Sequence, residues 1–345
     1  MEERGERMEL QQTEESTKVR VSVVIPIRNE ERYIQKCLDS VLEQDFPHDQ
    51  WEINLVDGDS EDMTVELIQP YLDRYPFIHL YRNPHKTVQY ALNIGIREAA
   101  GEIIVRLDAH AEYDRSYVSQ CVKTLEETGA DNVGGPTVVR GKTPMQKVIA
   151  AAYHSPFALG GGKCHDADFE GYADTVSFGA YKKETITRIG MYDERFPRSE
   201  DDEMNFRLTE SGGKIYITPS IKSVYYPRDN LGALFRQYFQ YGVWKVAVIR
   251  KHKRPARLSH LVPLCFVLFL LVCIPLACFF RPFLWLLLGV LGLYVLLDIY
   301  FSFTNRYLTG FVPRLKLCVV HLVLHLSYGL GFLKGIFQFA RAKFD

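Results

Sequence analysis

The 345-residue sequence has almost no excess charge, because 41 lysines and arginines face 42 aspartates and glutamates. A net charge of −1 offers no general attraction for nucleic acid, so we expect no nucleic-acid partner. Apolar residues make up 47% of the chain and charged residues 24%. These values are typical of globular proteins and exclude a disordered or fibrous chain.

The sequence also has few cysteines, and residues 1–18 contain no apolar segment. The seven cysteines are scattered, and none forms a C-x-x-C pair. They predict neither a disulfide framework nor a zinc site, and they fit a reducing, cytosolic environment. Residues 1–18 are polar and lack the apolar core of a signal peptide, so we expect a disordered lead-in there.

Long apolar runs are missing before residue 258 and dominate the chain after it. The runs at about 261–280 and 283–303 are each long enough to span a membrane, and their short connection predicts a helical hairpin. A third segment at about 317–336 is shorter and more polar, which fits a spanning, re-entrant or interfacial helix. We therefore predict a membrane region over residues 258–345.

The distribution of cations predicts which side of the membrane each segment faces. Six lysines and arginines lie between residues 245 and 257, directly before the first apolar run. The positive-inside rule puts that side in the cytosol. The cations at the end of the chain would face outward if the third segment crossed fully, so the rule favours a re-entrant or interfacial third segment.

Before residue 231, apolar stretches rich in β-branched residues alternate with amphipathic stretches of helical spacing. This alternation predicts βαβ units and a mostly parallel sheet flanked by helices. The predicted strands are 19–26, 51–56, 77–81, 102–107 and 132–139, the first of them stopped by Pro26. The predicted helices between them are 30–44, 62–75, 88–100 and 117–128.

Polar side chains follow the ends of three predicted strands, namely Arg28-Asn29-Glu30, Asp57, and the pair Asp108 and His110. Strand ends form the ligand crevice of such sheets, so we expect these groups to converge on one site. Asp57 offers an acceptor for an N–H or hydroxyl group of a ligand. Asp108 and His110 point the same way and can hold a divalent cation that bridges phosphate oxygens; a bond from His110 to a loop carbonyl is the alternative.

Two further segments have both a structural and a functional interpretation. The four acids at 200–203 suit a solvated helix N-terminus, but like charges crowded near a cleft can also raise one carboxylate's pKa and produce a general base. Composition alone does not identify that acid. The segment 231–257 predicts an amphipathic, basic helix at a membrane surface, and its aromatic and amide side chains could instead recognise carbohydrate or lipid.

Four motifs together resemble a known family. The stretches V-S-V-V-I-P-I-R-N-E-E, V-D-G-D-S-E-D, V-R-L-D-A-H-A and E-D-D-E-M-N-F-R-L lie in this order between residues 19 and 244. They resemble the family 2 inverting glycosyltransferases with the GT-A fold, most of all the succinoglycan-biosynthesis type that makes exopolysaccharide. The resemblance implies an α/β, Rossmann-like GT-A domain over 19–230, followed by the surface helix 231–257 and the membrane region.

The resemblance also assigns roles in donor binding. The residues it places in the nucleotide pocket are Pro26, Arg28, Asn29, Glu30, Asp57 and Asp108, with Asp57 against the base. Asp108 and His110 take the D-x-D positions that handle diphosphate and metal, with His110 in place of the second Asp. The implied cofactor is a divalent metal, Mn²⁺ or Mg²⁺, and imidazole suits manganese better.

The same likeness implies which residues act on the sugar. Glu200 and Asp201 match the E-D pair, in which the Asp is the general base. The residues it places near the donor sugar and the acceptor are Gly179, Ala180, Gln240 and Trp244. The last two belong to a Q-x-x-R-W motif of processive synthases. Val243 stands where that motif has Arg, which argues against processive polymer synthesis.

The implied activity is transfer of one sugar from a nucleotide-sugar donor, expected to be a UDP-sugar, to a polyprenyl-linked glycan. The enzyme would act among membrane lipids at the cytosolic face of the inner (plasma) membrane, in polysaccharide or glycoconjugate synthesis. The alternatives are a polyprenyl-phosphate sugar synthase, a processive polysaccharide synthase and a non-catalytic nucleotide-sugar sensor. The E-D pair counts against the first, because a phosphate acceptor needs no strong base.

Overall fold

The computed structural model describes residues 19–159, 162–255, 257–342 and 344, so the lead-in predicted for residues 1–18 lies outside the described residues. The chain forms two compact units. Of the described residues, the first unit contains those up to Thr137 together with Ala167–Val224, and the second contains those of Val138–Asp166 and those from Tyr225 onward.

The bounds of the elements in the described chain are as follows. The strands are β1 (Val21–Ile27), β2 (Trp51–Asp57), β3 (Ile78–Arg82), β4 (Ile103–Arg106), β5 (Glu112–Tyr113), β6 (Asn132–Gly134), β7 (Val138–Val139), β8 (Gly171–Ala173), β9 (Ala180–Lys182), β10 (Ile215–Ile217) and β11 (Ser223–Tyr225). The helices are α1 (Ile34–Leu42), α2 (Thr64–Arg74), α3 (Val88–Glu98), α4 (Tyr117–Thr128), α5 (Pro144–Tyr153), α6 (Pro156–Leu159), α7 (Lys183–Arg188), α8 (Glu200–Glu210), α9 (Leu231–His252), α10 (Val262–Ala277), α11 (Arg281–Phe303) and α12 (Phe311–Gln338).

The first unit is built on a mixed sheet with the strand order β3-β2-β1-β4-β9-β6-β10-β8. Strand β1 pairs in parallel with β2 and β4, whereas β9 runs antiparallel between β4 and β6. Every residue of β2 is buried, as in a central strand covered on both faces. The predicted α/β architecture is confirmed, and the parallel strands β1, β2 and β4 bring their carboxyl ends to one edge of the sheet.

The predicted bounds of β1 to β4 differ from the observed ones by one or two residues, and a further predicted strand is split in two. Strand β1 does not stop at Pro26 but runs to Ile27, because β4 pairs with β1 only as far as Val24 and the missing N–H of Pro26 costs no bond to β4. The strand predicted over 132–139 is split into β6 and β7. A Cβ at Gly135 would lie 1.7 Å from the Ile221 carbonyl oxygen, so only glycine fits where the chain leaves the sheet.

Within the span 19–230 predicted for the GT-A domain, residues 138–166 group with the second compact unit. Helix α5 buries its apolar residues Val148 to Tyr153 in a cluster with Leu234 of α9 and Val320 of α12. Asn305, which follows α11, donates to the Ala151 carbonyl at 3.1 Å. Apolar side chains of α5 therefore tie this segment to the C-terminal helices.

The second unit contains the apolar helices. In the described residues, three segments are long and apolar enough to cross a membrane: Leu258–Ala277, Arg281–Phe303 and Phe311–Gln338. In the first two segments only 11% and 6% of the apolar stretch is buried in the protein, whereas in the third segment 44% is buried. Helices α10 and α11 form the predicted hairpin, with Phe266 stacked on Tyr294 at a centroid distance of 4.8 Å. Their exposed apolar surfaces are typical of helices that contact lipid.

Helix α12 is one continuous helix and contains no reversal of the chain of the kind that a re-entrant segment has. It runs beside α9, the predicted surface helix. A Cβ at Gly331 would lie 2.0 Å from the Phe239 carbonyl oxygen, and one at Gly335 would lie 2.6 Å from that of Val243. Both contacts advance in the same direction along the two helices, so α9 and α12 are parallel and in backbone contact.

Candidate active site

A buried arginine at the end of β4 joins three carboxylates. Arg106 is the last residue of β4, and its side chain is only 5% exposed. Its Nε lies 3.3 Å from Asp108 Oδ1, its Nη2 lies 3.3 Å from Glu200 Oε1, and its Nη1 donates to Asp201 Oδ1. One guanidinium therefore connects the strand end to the first turn of α8 by charge-assisted hydrogen bonds.

The backbone before α8 places two of its acids in this cluster. Ser199 has a φ of +59°, a left-handed conformation that is uncommon for a residue other than glycine and often marks a functional site. Glu200 and Asp201 follow it as the first residues of α8. Glu203 differs, because it is fully buried and binds Arg207 at 2.8 Å. The four acids look alike in the sequence, but in the structure Glu200 and Asp201 bind Arg106, whereas Glu203 binds Arg207.

Asp201 has the properties of a general base. Burial raises the pKa of Asp201 to about 7, the Arg106 cation lowers it, and the charges of Glu200 and Asp108 raise it again. The Tyr192 hydroxyl lies 3.4 Å from Asp201 Oδ1. The side chain of Asp201 keeps 22% exposure, so a hydroxyl group can reach it. A carboxylate whose pKa is near neutral is well matched to accept a proton near pH 7.

The predicted nucleotide residues after β1 meet the start of α2. Asn29 has a left-handed φ of +55°, and its N–H donates to Ser60 Oγ at 2.9 Å. The N–H of Glu30 donates to the Thr64 hydroxyl at 2.7 Å. Arg28 is exposed next to Asn29. The structure therefore brings the ends of β1 and β2 together, as the predicted crevice requires.

Asp57 lies at the end of β2 and is buried. Ser60 contacts both of its carboxylate oxygens, with its hydroxyl at 2.6 Å and its N–H at 3.0 Å. Asp57 therefore organises the turn between β2 and α2. A carboxylate has about four lone-pair sites, so these bonds leave capacity for a nucleotide base. The base contact stays a prediction.

Asp108 and His110 are the residues that could hold a divalent cation. They belong to one turn, in which the Ala111 N–H donates to the Asp108 carbonyl at 3.2 Å. His110 is exposed, and its Nδ1 lies 3.6 Å from Glu30 Oε1. Among the described residues, no group of three or more His, Cys, Asp or Glu side chains is placed to hold a metal ion. The carboxylate and imidazole donors fit a cation that takes its other ligands from bound substrate.

Gly179 and Ala180 have structural roles in the sheet. A Cβ at Gly179 would lie 2.3 Å from Asn132 Oδ1, and the Gly179 carbonyl accepts the Arg106 N–H at 3.2 Å. Ala180 begins β9 and is fully buried in the core. The side chain of Ala180 therefore packs inside the sheet, and its predicted contact with the sugar or acceptor stays a prediction.

Gln240 and Trp244 lie on α9 in the second unit. Gln240 is exposed, whereas the Trp244 ring packs on Phe339 at a centroid distance of 5.2 Å. Trp244 thus has a clear helix-packing role. The predicted contacts of these two residues with sugar or acceptor stay predictions.

Arg106 is the site residue that sequence reasoning missed. A signal was present, because a lone arginine interrupts the apolar stretch I-I-V-R-L two residues before Asp108. Alternate residues of a strand share one face, so Arg106 and Asp108 had to point the same way. The partners Glu200 and Asp201 lie more than 90 residues further along, and no local pattern indicates that contact.

The α/β fold therefore has a crevice at its parallel strand ends, with an Asp-x-His turn and a reachable carboxylate of raised pKa, as the resemblance to glycosyltransferases implies. The family model described as "Glycosyl transferase family 2" matches residues 22–173. A dolichyl N-acetyl-α-D-glucosaminyl phosphate 3-β-D-2,3-diacetamido-2,3-dideoxy-β-D-glucuronosyltransferase of Methanococcus voltae is 32% identical over 240 residues, which cover 67% of this chain and 74% of that protein. A succinoglycan biosynthesis protein of Rhizobium meliloti is 30% identical over 254 residues, with 73% and 77% covered.

The chain therefore belongs to glycosyl transferase family 2, and it is a glycosyltransferase. A solved mannosyltransferase of Pyrobaculum calidifontis, in complex with GDP-Man and Mn²⁺, aligns with a TM-score of 0.64 at 19% identity. The alignment covers 92% of this chain and 87% of that one. It confirms the predicted GT-A fold.

Proposed function

We propose that this enzyme transfers one sugar from a UDP-sugar to a polyprenyl-linked glycan, with inversion at the anomeric carbon. The observation that carries the proposal is Asp201, a reachable carboxylate of raised pKa at the strand-end crevice. An acceptor hydroxyl needs such a base, whereas a lipid phosphate does not. The name of the Methanococcus voltae relative describes a dolichyl-linked sugar acceptor, which supports a glycan acceptor here.

The reaction follows from the groups of the site. Asp201 takes the proton of the acceptor hydroxyl, and the oxygen attacks the anomeric carbon on the face opposite the departing nucleotide. Arg106 holds Asp201 in place and favours its ionised form, so it acts as a positioning residue. Asp57 and the residues after β1 bind the nucleotide. Glu200 binds the same arginine beside the general base Asp201.

Asp108 and His110 would hold a divalent cation, Mn²⁺ or Mg²⁺, together with oxygens of the nucleotide diphosphate. Such a cation, when bound, stabilises negative charge on the leaving diphosphate. Asp108, Glu200 and Asp201 surround one guanidinium, so the cluster carries negative charge that favours a cation. The Mn²⁺ in the mannosyltransferase complex supports metal use in this fold.

We further propose that the hairpin α10–α11 anchors the enzyme in the inner (plasma) membrane with its catalytic domain in the cytosol. The exposed apolar faces of the hairpin and the six cations before it support this orientation. The membrane would then present the lipid-linked acceptor, as polysaccharide or glycoconjugate synthesis requires.

The test uses the full chain in lipid nanodiscs with a membrane lipid extract as acceptor, and UDP-, GDP- and dTDP-sugars as donors. We expect a UDP-sugar to be used as donor and the acceptor to become one sugar larger. Asp201→Asn should be slower by about 10²–10⁴-fold. Asp202→Asn, the same change one residue further on, serves as the matched control. Undiminished turnover in Asp201→Asn would favour a lipid-phosphate acceptor. A ladder of products would favour a processive synthase, and donor binding without transfer would favour a sensor.

A further inference from the structure

A cavity of about 370 Å³ lies in the second unit, formed by residues that the proposed reaction does not use. Its walls come from α5 and from the connection between α11 and α12. Val148 and Ala151 of α5 and Leu308 of the connection give it apolar surface, while Lys147 and Tyr307 add polar groups. The volume lies within the range of small-ligand pockets, roughly 300–1,000 Å³.

The cavity lies at a membrane boundary. Helix α11 ends at Phe303. Only 6% of its apolar stretch is buried in the protein, so lipid must cover this helix. The non-helical connection that follows cannot remain in hydrocarbon, because its backbone groups need water or protein partners. Tyr307 and Leu308 of this connection line the cavity, which therefore opens where lipid headgroups lie.

The charge around the cavity is of one sign. The two stretches that line the cavity, 139–154 and 307–313, contain three lysines and arginines and no aspartate or glutamate. Lys147 is exposed and lines the cavity. Such a surface attracts an anion.

Apolar walls, cations and a place among headgroups together suit a phosphate that is attached to a lipid. We infer that this cavity binds the phosphate that links the polyprenyl chain to the acceptor glycan, with Lys147 contacting the phosphate. The inference rests on the proposed lipid-linked acceptor. It adds a second contact point for the acceptor, separate from the residues that act on the sugar.

The test is photolabelling of the full chain in phosphatidylcholine nanodiscs with a benzophenone-tagged farnesyl phosphate, followed by peptide mapping. We expect labelled peptides from residues 138–153 and 304–313. Lys147→Glu should lower labelling roughly tenfold or more, since it replaces a charge-assisted contact by repulsion. Lys316→Glu is the matched control, because this exposed cation of α12 undergoes the same charge change without lining the cavity.

The competitors separate the possible sources of phosphate. Untagged farnesyl phosphate should displace the label, whereas equal displacement by phosphatidylglycerol or by inorganic phosphate would overturn the assignment, as would labelling elsewhere in the chain. The inference and the proposed function also fail separately. Correct labelling with no sugar transfer from any donor would refute the function alone. If the enzyme transfers sugar but Lys147→Glu leaves its KM for the lipid acceptor unchanged, only the assignment of the cavity as a phosphate site is refuted.

Discussion

Arg106 gives three carboxylates a shared cation, and its removal would leave Asp108, Glu200 and Asp201 close together with uncompensated charge. Like charges at short range disfavour ionisation, and an opposite charge favours it. The state of Asp201 at neutral pH therefore depends on a residue from a different strand. The motif around Asp201 alone does not determine how strong a base it is.

We predict that Arg106→Gln shifts the pH profile of kcat/KM. Asp201 must be ionised to accept a proton, so activity rises with pH through its pKa of about 7 and then levels off. Without the cation that lowers this pKa, the rising limb should move upward by about 1–3 pH units. Arg106→Lys keeps the charge and should stay closer to the original profile. A uniform loss of activity at all pH values would contradict this role and indicate misfolding.

His110 provides a second residue-scale prediction. Carboxylate oxygen suits Mg²⁺ and imidazole is a softer ligand, so His110→Asp should raise activity with Mg²⁺ relative to Mn²⁺. His110→Ala should require more of either metal to reach half-maximal rate. The measurement is kcat/KM across a titration of each metal after chelation. An unchanged response in both variants would mean that His110 holds no metal.

At the scale of elements, patterns that arise within one segment were predictable and contacts between segments were not. Alternating apolar stretches correctly predict the strands up to β4, because burial of a strand is visible in its own sequence. The close approach that requires glycine at position 135 involves the Ile221 carbonyl, more than 80 residues further along. The burial of Ala180 likewise depends on its place between two strands.

The contact of α9 with α12 gives an element-scale prediction. A methyl group at Gly331 would meet the Phe239 carbonyl oxygen at 2.0 Å, so Gly331→Ala must push the two helices apart. We expect it to destabilise the protein by about 1–3 kcal/mol, as overpacking generally does. Gly289→Ala is the matched control, since a Cβ on this glycine of α11 meets nothing within 4 Å. Thermal unfolding in detergent should show a lower midpoint for Gly331→Ala only.

At the scale of the whole molecule, the contacts of α12 indicate how the second unit meets the membrane. His321 binds Asp298 at 2.7 Å, and His325 binds the Tyr294 hydroxyl at 2.9 Å, both near the C-terminal end of α11. A Cβ at Gly329 would lie 2.3 Å from the Pro263 carbonyl oxygen at the start of α10. These ends form the same mouth of the hairpin, so α12 crosses that mouth instead of running down its length.

Helix α12 also lies parallel to α9, which carries Arg236, Lys245 and Arg250 and cannot be immersed in hydrocarbon. We therefore predict that α12 lies at the interface and that the C-terminus stays on the side of the catalytic domain. A C-terminal tag should be protease-accessible in inverted vesicles and protected in right-side-out vesicles. A tag in the hairpin turn at Phe279 should show the opposite pattern. Accessibility of the C-terminal tag only in right-side-out vesicles would show that α12 spans the membrane, because an odd number of crossings is the only way to place that end outside.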